Sequence, residues 1–110
     1  SIAFVDVVGW ANGATRRLGI PLQLTWDDVQ QTNDYLAPGY GKLNPGCIEA
    51  IQLVAETEGI ILDPVYTGKA MAALIDHVRQ GLLTTKDTVV FMHTGGLPET
   101  FNYAEGLKRD

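Results

Sequence analysis

An α/β fold, with parallel strands flanked by helices, is the architecture this 110-residue sequence predicts. Three observations carry that prediction. Apolar residues recur at spacings of three and four in several stretches, which is the helical period. Two short runs, Ile60–Leu62 and Thr88–Met92, are aliphatic, β-branched or aromatic, as buried strands are. Strand-like and helix-like stretches alternate along the chain, and that alternation implies a parallel sheet.

The first helix is predicted over residues 2 to 18. Phe4, Val7, Val8, Ala11, Ala14 and Leu18 make its apolar stripe. Gly9 and Gly13 weaken it, each by about 1 kcal/mol relative to Ala. Gly19 before Ile20-Pro21 is its stop. A helix running off the first residue without a cap suggests a chain cut from something longer. Leu22 to Val29 is ambiguous. Leu22, Leu24 and Trp26 alternate with polar residues like a short strand, whereas Asp27-Asp28 could open a helical turn.

Gln30 to Gly46 holds Pro38, Gly39, Gly41, Pro45 and Gly46 and reads as loop. Asn44-Pro45 pairs an N-cap with proline at the first helical position. The helix it opens runs through Ile48, Ile51, Leu53, Val54 and Ala55 to Gly59. Ile60–Leu62 follows as a strand that stops at Pro64. The next helix spans roughly Gly68 to Gln80, with Ala70, Met71, Leu74, Ile75 and Val78 on its apolar face and Gly81 after it. Thr88–Met92 is the second strand, and Pro98-Glu99 opens a short last helix.

Composition narrows the function. The size is that of one domain or a piece of one. Apolar content is 45% and charged content 19%, which fits a globular chain. The net charge is −5 and the only basic pairs are Arg16-Arg17 and Lys108-Arg109, so nucleic-acid and anionic-membrane binding are disfavoured. No apolar run reaches the roughly 18 residues of a membrane span. The lone Cys47 cannot form an internal disulfide and fits a reducing, cytoplasmic compartment. It reads as a small half-buried residue, although a helix N-terminus could lower its pKa.

Several chemistries lack their residues. Gly68-Lys69 is not a P-loop, because Asp63 stands where the first glycine belongs and Ala70 follows the lysine. His77 and His93 have no partners at metal-ligand spacing, so no metal site is expected. Ser1 is the only serine, which leaves no Ser-His-Asp triad. In α/β sheets, ligands collect past the carboxyl ends of strands. Two such ends lead into Asp63-Pro64-Val65-Tyr66-Thr67 and His93-Thr94-Gly95-Gly96. By spacing alone they support a polar site at the sheet edge, or a mere tight turn at the glycine pair.

Three motifs sharpen this: Ala37-Pro38-Gly39-Tyr40-Gly41, Asp63-Pro64-Val65-Tyr66-Thr67-Gly68-Lys69-Ala70-Met71-Ala72, and His93-Thr94-Gly95-Gly96-Leu97-Pro98. In this order they resemble the C-terminal part of the D-cysteine desulfhydrase and 1-aminocyclopropane-1-carboxylate (ACC) deaminase family. These are pyridoxal-phosphate (PLP) enzymes of fold type II, the tryptophan-synthase-β type. The resemblance is good over roughly residues 35 to 103 and vague over the first 30. It implies that residues 1–110 are the C-terminal segment of the large domain. The Schiff-base lysine and phosphate loop would lie in an N-terminal region absent here, and Lys69 would be an ordinary position at a helix start.

The resemblance also implies site residues. Tyr40 and Tyr66 would border the substrate as catalytic groups, a place where a phenol can pack and exchange a proton. Thr67 and Thr94 would bind the ring-nitrogen edge of PLP. ACC deaminases carry a glutamate at the first of these and tend to carry a leucine at the second, so both threonines place the chain nearer D-cysteine desulfhydrase. The implied reaction removes the α-proton of D-cysteine and expels sulfide, and the remainder hydrolyses to pyruvate and ammonia. The complete enzyme would be a homodimer. An ACC deaminase-like or cysteate lyase-like activity, or a non-catalytic binding or assembly module, are the alternatives.

Overall fold

The computed structural model describes residues 6–108. The expected contributions of Ser1 and Phe4 lie outside them. The chain divides into two compact units, Ser1–Asn33 and Asp34–Asp110.

In the first unit, helix α1 spans Val7–Leu18. It does have a cap, because the Asp6 carboxylate accepts from the Gly9 amide at 2.9 Å. Gly19 ends it in the left-handed conformation, as expected. No residue of α1 is buried within its unit. Asn12 ties the following segment back to the helix, accepting from Leu24 N at 2.8 Å and donating to Leu24 O at 2.9 Å. The ambiguous stretch resolves as a 3-10 turn, Trp26–Asp28. Asp28 holds it by accepting from both the amide and the hydroxyl of Thr25.

In the second unit, helix α2 spans Pro45–Glu58 and helix α3 spans Thr67–Arg79. Asn44 caps α2, its Oδ1 accepting from Cys47 N at 2.8 Å, and Gly59 ends it. The two helices pack on each other. Cys47, Ile51 and Val54 of α2 join Leu62 in the buried cluster, with Met71, Phe91 and Leu107 packed against it. Gly68 allows the approach. A Cβ there would lie 2.6 Å from Asp63 O, 2.9 Å from Cys47 Sγ and 2.9 Å from Ile51 Cγ1. An exposed ion pair, Glu49 with Arg79, bridges the helices at 2.5 Å. Short helices α4, Glu99–Asn102, and α5, Ala104–Leu107, follow, and the second of them was not foreseen.

The parallel strands are a correction. Among the described residues no β-strand forms. Ile60–Leu62 and Thr88–Met92 have strand composition, but a strand is defined by its ladder of hydrogen bonds to a neighbour. Here the carbonyls of the first segment meet side chains instead. His93 Nε2 donates to Ile61 O at 2.8 Å, and Thr100 Oγ1 donates to Leu62 O at 3.4 Å. Leu62 is buried, whereas Ile60, Ile61, Val89, Val90 and Met92 stay exposed. Composition marked the segments correctly as apolar. It carried no information about a pairing partner.

Candidate functional site

The site is organised around a buried carboxylate. Asp63 is fully buried and accepts four hydrogen bonds. They come from the amides of Val65, Tyr66 and Thr67, each at 2.7 Å, and from the Thr67 hydroxyl at 2.6 Å. Pro64 follows Asp63 in the turn, and the carboxylate collects the amides of the two residues before α3 and of its first residue. Burial raises the pKa of such a group. The bonds from Thr67, Tyr66 and Val65 outweigh that and hold it below the usual carboxylate value. Asp63 thereby fixes the backbone of both Tyr66 and Thr67.

Thr67 is buried and doubly engaged. Its hydroxyl donates to Asp63 Oδ1 and accepts from Asp63 N at 2.9 Å. A threonine hydroxyl has one proton and two lone pairs, so one acceptor position remains. The second threonine, Thr94, is exposed. Two residues beyond it, the Gly96 backbone lies against Asp63, where a Cβ would come within 2.6 Å of the carboxylate carbon. The loop carrying Thr94 and the turn carrying Thr67 therefore meet at Asp63.

Tyr40 and Tyr66 come together, although 26 positions separate them. Their phenolic oxygens are 2.5 Å apart, and their rings meet edge to face with centroids 6.0 Å apart. Both are exposed. The bond to Tyr40 is the main reason that the Tyr66 pKa lies above its ordinary value. Asp63 and Glu99 add to it by repulsion of the phenolate. Tyr66 thus keeps its proton at neutral pH.

The Tyr40 loop is held from several sides. Lys69 Nζ donates to Gly39 O at 2.8 Å and to Leu36 O at 3.3 Å. The Tyr103 hydroxyl donates to Gly41 O at 2.5 Å. Asn44 Nδ2 donates to Ala37 O at 2.7 Å and Tyr35 O at 3.2 Å. Tyr35 in turn donates to Asp76 at 2.6 Å, which pushes its pKa up to about 12. Gly41 has φ +65° and touches the Tyr103 oxygen, so a side chain there would be strained. A cleft of about 350 Å³ opens beside this loop, lined by Tyr35, Asn44, Asp76 and Arg79 among others, but by none of the four candidate site residues.

Sequence reasoning missed Asp63, Lys69 and Tyr103 as organisers of the site. The Asp-Pro turn before a helix was a usable signal for the first. The other two act across 30 and 62 positions, where the sequence holds no local signal. Cys47, expected to be half-buried, is fully buried. Its thiol donates to Pro64 O at 3.4 Å, and burial pushes its pKa up to about 11. Among the described residues no group of three or more His, Cys, Asp or Glu side chains is placed to hold a metal ion. No described helix is long and apolar enough to cross a membrane.

The family described as pyridoxal-phosphate dependent enzyme matches residues 7–95. The chain belongs to that family. Members similar to it include the D-cysteine desulfhydrases of Salmonella newport (strain SL254) and Salmonella enteritidis PT4 (strain P125109). Each is 50% identical over 76 residues, which is 69% of this chain and 23% of the relative. The crystal structure of an ACC deaminase homologue superposes with a TM-score of 0.67 at 39% identity, over 86% of this chain and 27% of that one. The chain thus spans about a quarter of the length of these PLP enzymes, and its fold is that of a part of the ACC deaminase homologue. Strands that such a part lacks by itself need neighbours to pair with.

Proposed function

We propose that this chain forms part of a PLP-dependent lyase that carries out β-elimination on a small D-amino acid, converting D-cysteine to pyruvate, sulfide and ammonia. The observation that carries the reading is the meeting of Tyr40 and Tyr66, two phenols from distant motifs held hydroxyl to hydroxyl. The 50% identity to D-cysteine desulfhydrases favours this reaction over the ACC deaminase alternative. On this reading residues 1–110 are the C-terminal segment of the large domain, in a dimeric, cytoplasmic enzyme.

The residues present fit one edge of the cofactor. Thr67 keeps a free lone pair, Thr94 is exposed, and nothing lies within 4 Å of a Cβ built on Gly95 between the loop and solvent. Thr67 and Thr94 would bind the ring-nitrogen edge. The Lys69 ammonium is committed to two carbonyls, which supports the reading that another lysine holds PLP. When bound, PLP supplies an electron sink for the pair left by the departing α-proton. Thr67 with Asp63 behind it offers a hydroxyl whose proton is already engaged, which suits accepting rather than donating. One of the two phenols donates to the other, and the pair presents its remaining proton to the substrate, toward its carboxylate or its departing sulfur.

The test uses the full-length, PLP-loaded protein. Pyruvate and sulfide should be released from D-cysteine, with little turnover of ACC or L-cysteine. Turnover of ACC faster than D-cysteine would replace this reading by the deaminase one. Turnover of neither, with PLP bound, would leave a binding module.

A further inference from the structure

We propose that Lys69 and Tyr103 form a two-point clamp that sets Tyr40 against Tyr66, and that both are positioning residues for the site. The proposal rests on the reading that Tyr40 works there. The two side chains take the carbonyls on either side of Tyr40. Lys69 holds Gly39 O at 2.8 Å, and Tyr103 holds Gly41 O at 2.5 Å. They come from different segments, so the loop is fixed independently at the residue before Tyr40 and at the residue after it.

The environment of Lys69 is not that of a surface lysine. It is only 3% exposed, and burying an ammonium is costly unless its protons are bonded. Its bonds go to main-chain carbonyls of one loop, Gly39 and Leu36. Lys69 also stands three positions after Tyr66, in the first turn of α3. The element that carries one phenol therefore grips the loop that carries the other. Asn44 holds the base of the same loop, donating to Ala37 O and Tyr35 O, and leaves Tyr40 to the clamp. A 1 Å misplacement of a reacting group can lower a rate about a hundredfold, so a clamp of this kind has a catalytic consequence without touching substrate.

The experiment is a titration of the Tyr66 phenol by 13Cζ-tyrosine NMR in the full-length protein, with the resonance assigned from Tyr66→Phe. The groups acting on that phenol are Tyr40, Asp63 and Glu99. If Lys69→Met or Tyr103→Phe frees Tyr40, the Tyr66 pKa falls, because its largest raising cause is lost. Loss of the lysine charge alone would move the pKa the other way, since a nearby cation favours the phenolate. Tyr103→Phe changes no charge and removes one oxygen. The clamp predicts a fall in both variants, matching the fall in Tyr40→Phe. An unchanged or raised pKa in either folded variant overturns it; if Lys69→Met does not fold, Tyr103→Phe decides alone. The titration needs no cofactor, so it is separate from the functional reading, whose failure would show as full D-cysteine turnover by Tyr40→Phe.

Discussion

The phenolic oxygens of Tyr40 and Tyr66 lie 2.5 Å apart, with their rings edge to face. One is on a glycine-flanked loop, the other at the start of α3. Only one of the two can donate to the other, so one proton is left to point elsewhere. That division makes the pair a proton-holding unit.

A first prediction follows from the Tyr66 phenol. Its pKa is raised, mainly by the bond to Tyr40. Tyr40→Phe should therefore bring it down toward 10.0, with a residual elevation from Asp63 and Glu99. A folded-state pKa above the unfolded one means stability that is complete below pH 10 and declines as pH rises past it. The stability gap between wild type and Tyr40→Phe should be constant around neutral pH and close as the pH rises through that range. A difference that persists at pH 7 in the slope, not just the level, of stability against pH would contradict this.

Asp63 predicts the opposite limb. Its pKa is depressed below 3.8 by four hydrogen bonds that outweigh burial. Its contribution is present above pH 3.8 and is lost as pH falls through the folded-state value. Asp63→Asn keeps one carbonyl but turns an NH2 toward backbone donors. With each bond to a charged group contributing about 1.5–3 kcal/mol, the loss should be about 3 kcal/mol at pH 7. Urea unfolding at pH 7 and pH 3 measures it. The gap between wild type and Asp63→Asn should narrow at pH 3, and an equal gap at both would show that the charge is not what the turn needs.

Gly68→Ala should destabilise by about 2 kcal/mol through overpacking of α3 on α2. The added methyl would meet Asp63 O, Cys47 Sγ and Ile51 Cγ1 at under 3 Å. Two of these contacts are with α2 and one is with the backbone carbonyl that accepts from Gly68 N at 2.8 Å. Pairing it with Cys47→Ala relieves just one of the three contacts, so rescue should be partial. A neutral or stabilised Gly68→Ala in thermal unfolding would refute the close approach.

Much of the helical framework was legible in the sequence, because caps and stops act locally. Asn44-Pro45, Gly59, Gly19 and Gly81 mark ends within a residue or two of the observed ones. From motif resemblance Tyr40 and Tyr66 were expected to border one substrate, and the structure brings their hydroxyls together. Strands were the error. Ile60–Leu62 and Thr88–Met92 carry the right side chains, but pairing is non-local, and no partner forms a ladder with either among the described residues. The same non-locality hid Tyr103, whose bond to Gly41 spans 62 positions. Thr67 was expected at the ring-nitrogen edge without a partner being named for its proton, which goes to Asp63, four residues earlier.

The most direct test of the account is a double-mutant cycle on D-cysteine turnover by the full-length, PLP-loaded protein, with Tyr40→Phe, Tyr66→Phe and the double variant. Proton-transfer groups contribute about a hundredfold or more, and residues that act as one unit are not additive. Each single substitution should lower kcat/KM by about a hundredfold, and the double variant should fall little below the worse of the two. Singles close to wild type, or losses that multiply in the double variant, would contradict a shared proton between Tyr40 and Tyr66.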